Sequence, residues 1–153
     1  MYRNELKYFI NAHQKNVMAN KLSKICQRDS FSDANGGYLI SSLYFDDYTQ
    51  SAIFDKLSGV CDRKKFRVRV YNYQTNVIKL ERKIKREHVI EKSHIQISKE
   101  EYDTLVSGDV SFLRHKDNVV AKDFYLYYQT KNLRPRVVVE YRREAFIYKY
   151  GDV

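Results

Sequence analysis

The feature that most constrains this chain is a period-two alternation of cations and apolar side chains, repeated over consecutive segments between residues 64 and 97. In 64–72, Lys65, Arg67, Arg69 and Tyr71 share one parity, while Phe66, Val68 and Val70 share the other. In 77–86, Lys79, Glu81, Lys83 and Lys85 oppose Ile78, Leu80 and Ile84. In 88–97, Lys92, His94 and Gln96 oppose Ile95 and Ile97. Successive side chains of a strand point to opposite faces, so each segment is expected to be a strand with one apolar and one basic side. The first two are joined through 72–76, a hairpin loop.

The other elements follow from local signals. Residues 2–10 alternate as a strand, with Tyr2, Leu6, Tyr8 and Ile10 against Arg3, Glu5 and Lys7. Val17, Met18, Leu22, Ile25 and Cys26 line one side of an expected helix over 14–28. Gly36-Gly37 marks a turn before a strand at 38–45. Asp46 or Asp47 caps a short helix carrying Ile53, Phe54 and Leu57, stopped by Gly59. Ser98 and Glu101 form a capping box for a helix ending at Gly108, and a further helix is expected near 118–131. Pro135, the only proline, opens a long strand over 136–149, which runs into a turn at 150–153. The pattern predicts one α+β domain over 1–153, built on a largely antiparallel sheet.

The chain has 28 Lys and Arg against 19 Asp and Glu, a net charge of +9. Charge of that size attracts anions without choosing among nucleic acid, membrane surface and phosphorylated small molecules. Each basic face has a plain reading as the wet side of an amphipathic strand. Against it stands the sign of the charge: cations at i, i+2 lie about 6.8 Å apart and repel, and a bound polyanion relieves that repulsion. A sheet curled into a barrel aims them inward together.

Other chemistries find little support. No G-x-x-x-x-G-K-[ST] or G-x-G-x-x-G loop is present, so phosphate would be gripped by side chains, with Arg as the better clamp. His13, His88, His94 and His115 lack metal-ligand spacing, and Cys26 and Cys61 make no disulfide framework. No stretch reaches the roughly 20 apolar residues a membrane helix needs, and a cytoplasmic location is the default expectation. No zinc-finger, RNP-like or helix-turn-helix signature supports a nucleic-acid partner. Glu5 and Glu81 are the carboxylates on the basic faces. They either hold a hard divalent ion or form salt bridges with Lys7 and Lys83.

Ordered motifs now carry a resemblance. R-x-E-x-K-Y (Arg3, Glu5, Lys7, Tyr8), S-L-Y-F-D (Ser42 to Asp46) and R-V-R-V-Y (Arg67 to Tyr71) come first. L-E-R-K (Leu80 to Lys83) with R-E (Arg86, Glu87), E-K-S (Glu91 to Ser93) and P-x-V-x-V-x-Y-x-R-x-A-F (Pro135 to Phe146) follow. Together they resemble the VTC (vacuolar transporter chaperone) domain, the polyphosphate-polymerase branch of the triphosphate tunnel metalloenzymes. The resemblance implies antiparallel strands curling into a tunnel lined with Lys, Arg and Glu. It also implies transfer of the ATP γ-phosphate onto a growing polyphosphate chain, with a divalent metal, Mn or Mg, as cofactor. On the matching positions, Lys7, Arg67, Arg69, Lys83, Lys92 and Arg143 would contact phosphate, and Glu5 and Glu81 would be the metal-binding candidates.

Family members continue past this point with further strands, including an R-x-T-F-D-like segment and a metal-binding glutamate. The expectation is therefore a partial barrel, with an exposed edge strand open to pairing between copies. ATP and polyphosphate or triphosphate anions are the expected partners. The alternatives are a non-catalytic module binding polyphosphate or inositol phosphates, and a triphosphate hydrolase on the same scaffold.

Overall fold

The chain runs α1 (Ala12–Ile25), β1 (Cys26–Arg28), β2 (Tyr38–Asp46), α2 (Ser51–Leu57), β3 (Arg63–Tyr71), β4 (Gln74–Arg86) and β5 (Val89–Ile97). After these come α3 (Lys99–Ser107), a 3-10 segment (Ser111–His115), α4 (Val119–Lys131), β6 (Arg134–Arg143) and β7 (Phe146–Tyr148). This computed structural model describes residues 6–87 and 89–148. Its backbone proximities divide the chain into two units, Leu39–Arg142 and Met1–Tyr38 with Arg143–Val153.

The larger unit is built on a five-stranded sheet in the order β5-β4-β3-β2-β6. Neighbours from β2 to β5 are antiparallel, with Tyr44 opposite Arg67, Arg67 opposite Glu81, and Glu81 opposite His94. One face carries Phe66, Val68, Ile78 and Leu80, all nearly inaccessible to water, with Val70 and Ile95 packed at the margin. Each such side chain contributes roughly 1.5–3 kcal/mol on burial. Helices cover this face because their own stripes match it. On α4, Val120, Ala121, Phe124 and Tyr128 recur at helical spacing and are buried. Phe124 meets Phe45 and Phe66 edge-on, with ring centres 5.0 and 5.3 Å apart.

Helix ends are set by capping chemistry. The Ser98 hydroxyl accepts from the Glu101 amide at 3.1 Å, and the Glu101 carboxylate accepts from the Ser98 amide at 3.0 Å, closing the expected box. Gly108 ends α3 at φ +101°, a left-handed conformation, and its carbonyl accepts the Tyr128 hydroxyl at 2.8 Å. On α2 the N-cap residue is Gln50, but Asp47 and Asp46 accept from the amides of Ser51 and Ala52 at 2.9 and 3.1 Å. The expected acids cap the helix from a few residues upstream.

The β3–β4 connection is tighter than expected. Asn72 and Tyr73, at φ +49° and +55°, form a two-residue turn, and β4 already begins at Gln74. Asn72 is pinned to β2: its carboxamide oxygen accepts from the Leu39 amide at 2.8 Å, and its own amide donates back to the Leu39 carbonyl at 2.9 Å.

The smaller unit holds α1 and the two-stranded antiparallel β1–β7 sheet, with Arg28 opposite Phe146. Three expectations are corrected here. Residues 6–10 form no strand and are exposed, while residues 1–5 lie outside the described residues. The helix expected over 14–28 begins at Ala12, because Asn11 and Gln14 make a capping box, and stops at Ile25. Cys26–Arg28 instead pair with Phe146–Tyr148. The strand expected over 136–149 breaks at Glu144–Ala145 into β6 and β7, which join different sheets. Glu144 turns to the cations of its own unit, at 2.7 Å from Lys15 and 3.4 Å from Arg28. Lys149 and the turn expected at 150–153 lie outside the described residues.

Candidate phosphate-binding face

The sheet face opposite the core carries the cations, as strand parity requires. Antiparallel pairing converts the parities into transverse rows. One row reads Ser42, Arg69, Lys79, Gln96; the next reads Tyr44, Arg67, Glu81, His94; the third reads Lys65, Lys83, Lys92. Adjacent strands are about 4.8 Å apart, so neighbours in a row are within side-chain reach.

Glu81 sits between two arginines. Its Oε2 accepts from Arg67 Nε at 2.7 Å and lies 2.6 Å from Arg67 Nη2, while its Oε1 lies 3.7 Å from Arg69 Nη1. Arg67 Nη1 also donates to the Tyr44 hydroxyl at 2.9 Å, and Arg69 Nε donates to Ser42 Oγ at 3.4 Å. Among the described residues, these bonds leave the second N–H groups of the Arg67 Nη1 and Nη2 atoms unused. The two guanidiniums are therefore fixed by neutral oxygens and one shared carboxylate, and their combined charge stays positive.

Burial works against the charge on Arg67, but the Glu81 carboxylate and the bonds to Tyr44 and Glu81 outweigh it. The guanidinium is held above its ordinary pKa. Arg69 is more deeply placed, with its side chain 10% exposed against 26% for Arg67. Lys65 responds in the opposite direction: burial, then the nearby charges of Lys56 and Arg63, pull its ammonium below the ordinary 10.5. Asp46 and Asp55 act the other way and more weakly.

Arg67, Arg69, Lys83, Lys92 and Glu81 thus lie on one face of one sheet. Lys7, exposed ahead of α1, and Arg143, the last residue of β6, belong to the other unit. Glu5 lies outside the described residues. Among the described residues no three His, Cys, Asp or Glu side chains gather as a metal site, and both Glu81 oxygens face guanidinium groups. The described residues alone do not fit a divalent ion.

Tyr44 and Ser42 were not singled out as site residues from the sequence. Their signal was present: they share one parity of the S-L-Y-F-D strand, but only the register brings that parity beside Arg67 and Arg69. Arg82 is a different case. It lies on the core face, its side chain 7% exposed, where Nη1 meets Asp123 of α4 at 2.9 Å and Nη2 meets Glu91 at 2.6 Å. Lys64 reaches both Asp123 oxygens at 2.8 Å and stacks over the Tyr127 ring at 4.4 Å.

Comparison with known proteins agrees with this geometry. No curated protein matches the chain. Among solved structures, a protein from Bacillus halodurans named as a “putative adenylate cyclase” superposes with a TM-score of 0.62 at 11% identity, over 93% of this chain. The chain spans 65% of that protein's length, and at this identity the likeness is one of fold. Among the described residues no helix is long and apolar enough to cross a membrane. A family model described as the VTC domain matches residues 2–153. That match shows that the chain belongs to the VTC domain family, and its antiparallel sheet is a partial form of the triphosphate-tunnel fold.

Proposed function

We propose that this domain grips the phosphates of ATP and of a polyphosphate chain for transfer of the ATP γ-phosphate to that chain, in the cytoplasm. The observation that carries the reading is the Arg67–Glu81–Arg69 arrangement on a face where the neighbouring row across β3, β4 and β5 reads Lys65, Lys83, Lys92. Phosphoryl transfer asks little covalent chemistry of a protein; it needs in-line positioning and neutralisation of charge on the transferred group. Arg67 and Arg69 supply planar donors for non-bridging oxygens, and Tyr44, Ser42 and Glu81 hold those donors in place. Lys83 and Lys92 supply point charges beside them on β4 and β5.

Replacing Arg67 by Ala tests the grip. Tripolyphosphate affinity should fall by about 1.5–3 kcal/mol, the range for hydrogen bonds to charged groups, and wild-type binding should weaken as salt rises. Unchanged affinity would remove the arginine pair from the site. Product analysis after incubation with ATP and Mn²⁺ or Mg²⁺ tests the reaction: lengthening polyphosphate supports polymerisation. Hydrolysis to free phosphate, or the cyclisation that the structural neighbour's name suggests, would use the same triphosphate grip with a different acceptor. Tight binding with no product would favour a non-catalytic module.

A further inference from the structure

The smaller unit exposes apolar and basic side chains together. From Leu6 to Arg28 the chain carries Lys7, Lys15, Lys21, Lys24 and Arg28 and no acid. Along α1, Val17, Met18, Lys21, Lys24 and Ile25 recur at helical spacing, which puts them on one side of the helix, and all five are exposed. Ala19 and Leu22 are half-buried and lie outside that stripe. Tyr8, Phe9 and Ile10 stand exposed just ahead of the helix. Among the described residues of this unit, Tyr38 is the one large apolar side chain that is buried. Glu144 engages Lys15 and Arg28, but among the described residues Lys21 and Lys24 meet no acid.

We propose that α1 is an interfacial helix that docks this domain on an anionic lipid bilayer. A nucleic acid or a free polyanion would engage the lysines and leave Val17, Met18 and Ile25 in water. An uncharged apolar groove would cover those three and leave the lysines without counter-charge. An anionic bilayer surface answers both: the apolar residues enter the boundary between headgroups and acyl chains, and Lys21 and Lys24 reach the headgroup phosphates. Their methylene stems lie along the apolar surface on the way. Tyr8 and Phe9 add aromatic area beside the stripe. At 14 residues the helix is too short to span a bilayer, so it lies in the plane of the interface. The surface belongs to residues other than the phosphate-binding face, and the inference does not depend on that face.

Sedimentation of the full chain with vesicles of phosphatidylglycerol and phosphatidylcholine, against vesicles of phosphatidylcholine alone, tests the docking. Wild type should partition to the anionic vesicles far more than to the neutral ones and be released as salt rises. Lys21→Gln/Lys24→Gln should lose about tenfold or more on the anionic vesicles, at about fivefold per lysine. Met18→Gln/Ile25→Gln keeps good helix-forming character and should lose about tenfold or more through the missing apolar burial. Lys99→Gln/Lys122→Gln removes the same charge from α3 and α4 and should bind as wild type does. Circular dichroism of each variant should match wild type. Absent partitioning of wild type, an equal loss in Lys99→Gln/Lys122→Gln, or undiminished partitioning of Met18→Gln/Ile25→Gln would overturn the proposal. Self-association of wild type that Met18→Gln/Ile25→Gln abolishes, with no vesicle partitioning, would overturn it by assigning the stripe to a second copy.

Discussion

Asp123 should matter more to stability than either cation it binds. On the core face it accepts from Lys64 through both oxygens at 2.8 Å and from Arg82 Nη1 at 2.9 Å. The three side chains are 15%, 20% and 7% exposed, so all are substantially withdrawn from water. Asp123→Ala leaves two cations facing each other on β3 and β4 without their shared acid. Breaking a buried pair from one side costs about 3–5 kcal/mol. Arg82→Met is milder, because Asp123 keeps Lys64 and the methionine chain fills the space of the arginine stem; about 1–3 kcal/mol is expected. Glu91, 56% exposed, adds little to the difference. Urea unfolding of both variants reads the gap as a shift of midpoint at constant m-value. An Arg82→Met variant as destabilised as Asp123→Ala, or more so, would refute the view that Asp123 is the shared hub.

Other outcomes are equally direct. Leu80, fully buried between Val68 and Ile95, should cost about 2–5 kcal/mol when cut to Ala, measured by the same urea titration. Tyr73→Gly should raise stability by about 0.5 kcal/mol, because glycine removes the left-handed strain at φ +55° and loses only an exposed hydroxyl bond to Glu140; a lower thermal midpoint would contradict this. The bond from Lys15, supported by Arg28, holds the Glu144 carboxyl below its ordinary 4.5 against the effect of burial. The unfolded chain then binds the proton more readily, so this contribution is fully present above pH 4.5 and is lost as pH falls through the depressed folded value. An NMR titration of Glu144 should show the low midpoint in wild type and its return toward 4.5 in Lys15→Gln.

Period-two patterning made β3, β4 and β5 legible because charged and apolar side chains alternate through much of each strand, and the Ser98–Glu101 box and Gly108 did the same for α3. At residues 6–10 the alternation was just as regular, yet no strand forms there. A pattern states which side would be buried, not whether a partner strand is present. The split of 136–149 was hidden for a related reason: Glu144 answers to Lys15 and Arg28, more than a hundred positions away in sequence. Arg67 and Arg69 could be placed on a face from their own segment. Tyr44 and Ser42 could not, since cross-strand register is a property of pairs. Arg82 breaks its strand's parity rule, and only the acid on α4 explains why a cation is tolerated there.

The separation of parities in β3 and β4 has an evolutionary side. Exchanging an odd-numbered cation such as Lys79 or Lys83 alters the surface presented to a ligand without removing any apolar side chain from the core. Descendants of such a sheet can drift from one anion to another by single substitutions and remain folded. An insertion of one residue within β3 has no such freedom, because it would carry Arg67 and Arg69 to the helix side and Phe66 and Val68 to water. The residue count of β3 is thus constrained by packing, while its alternate positions are open to substitution.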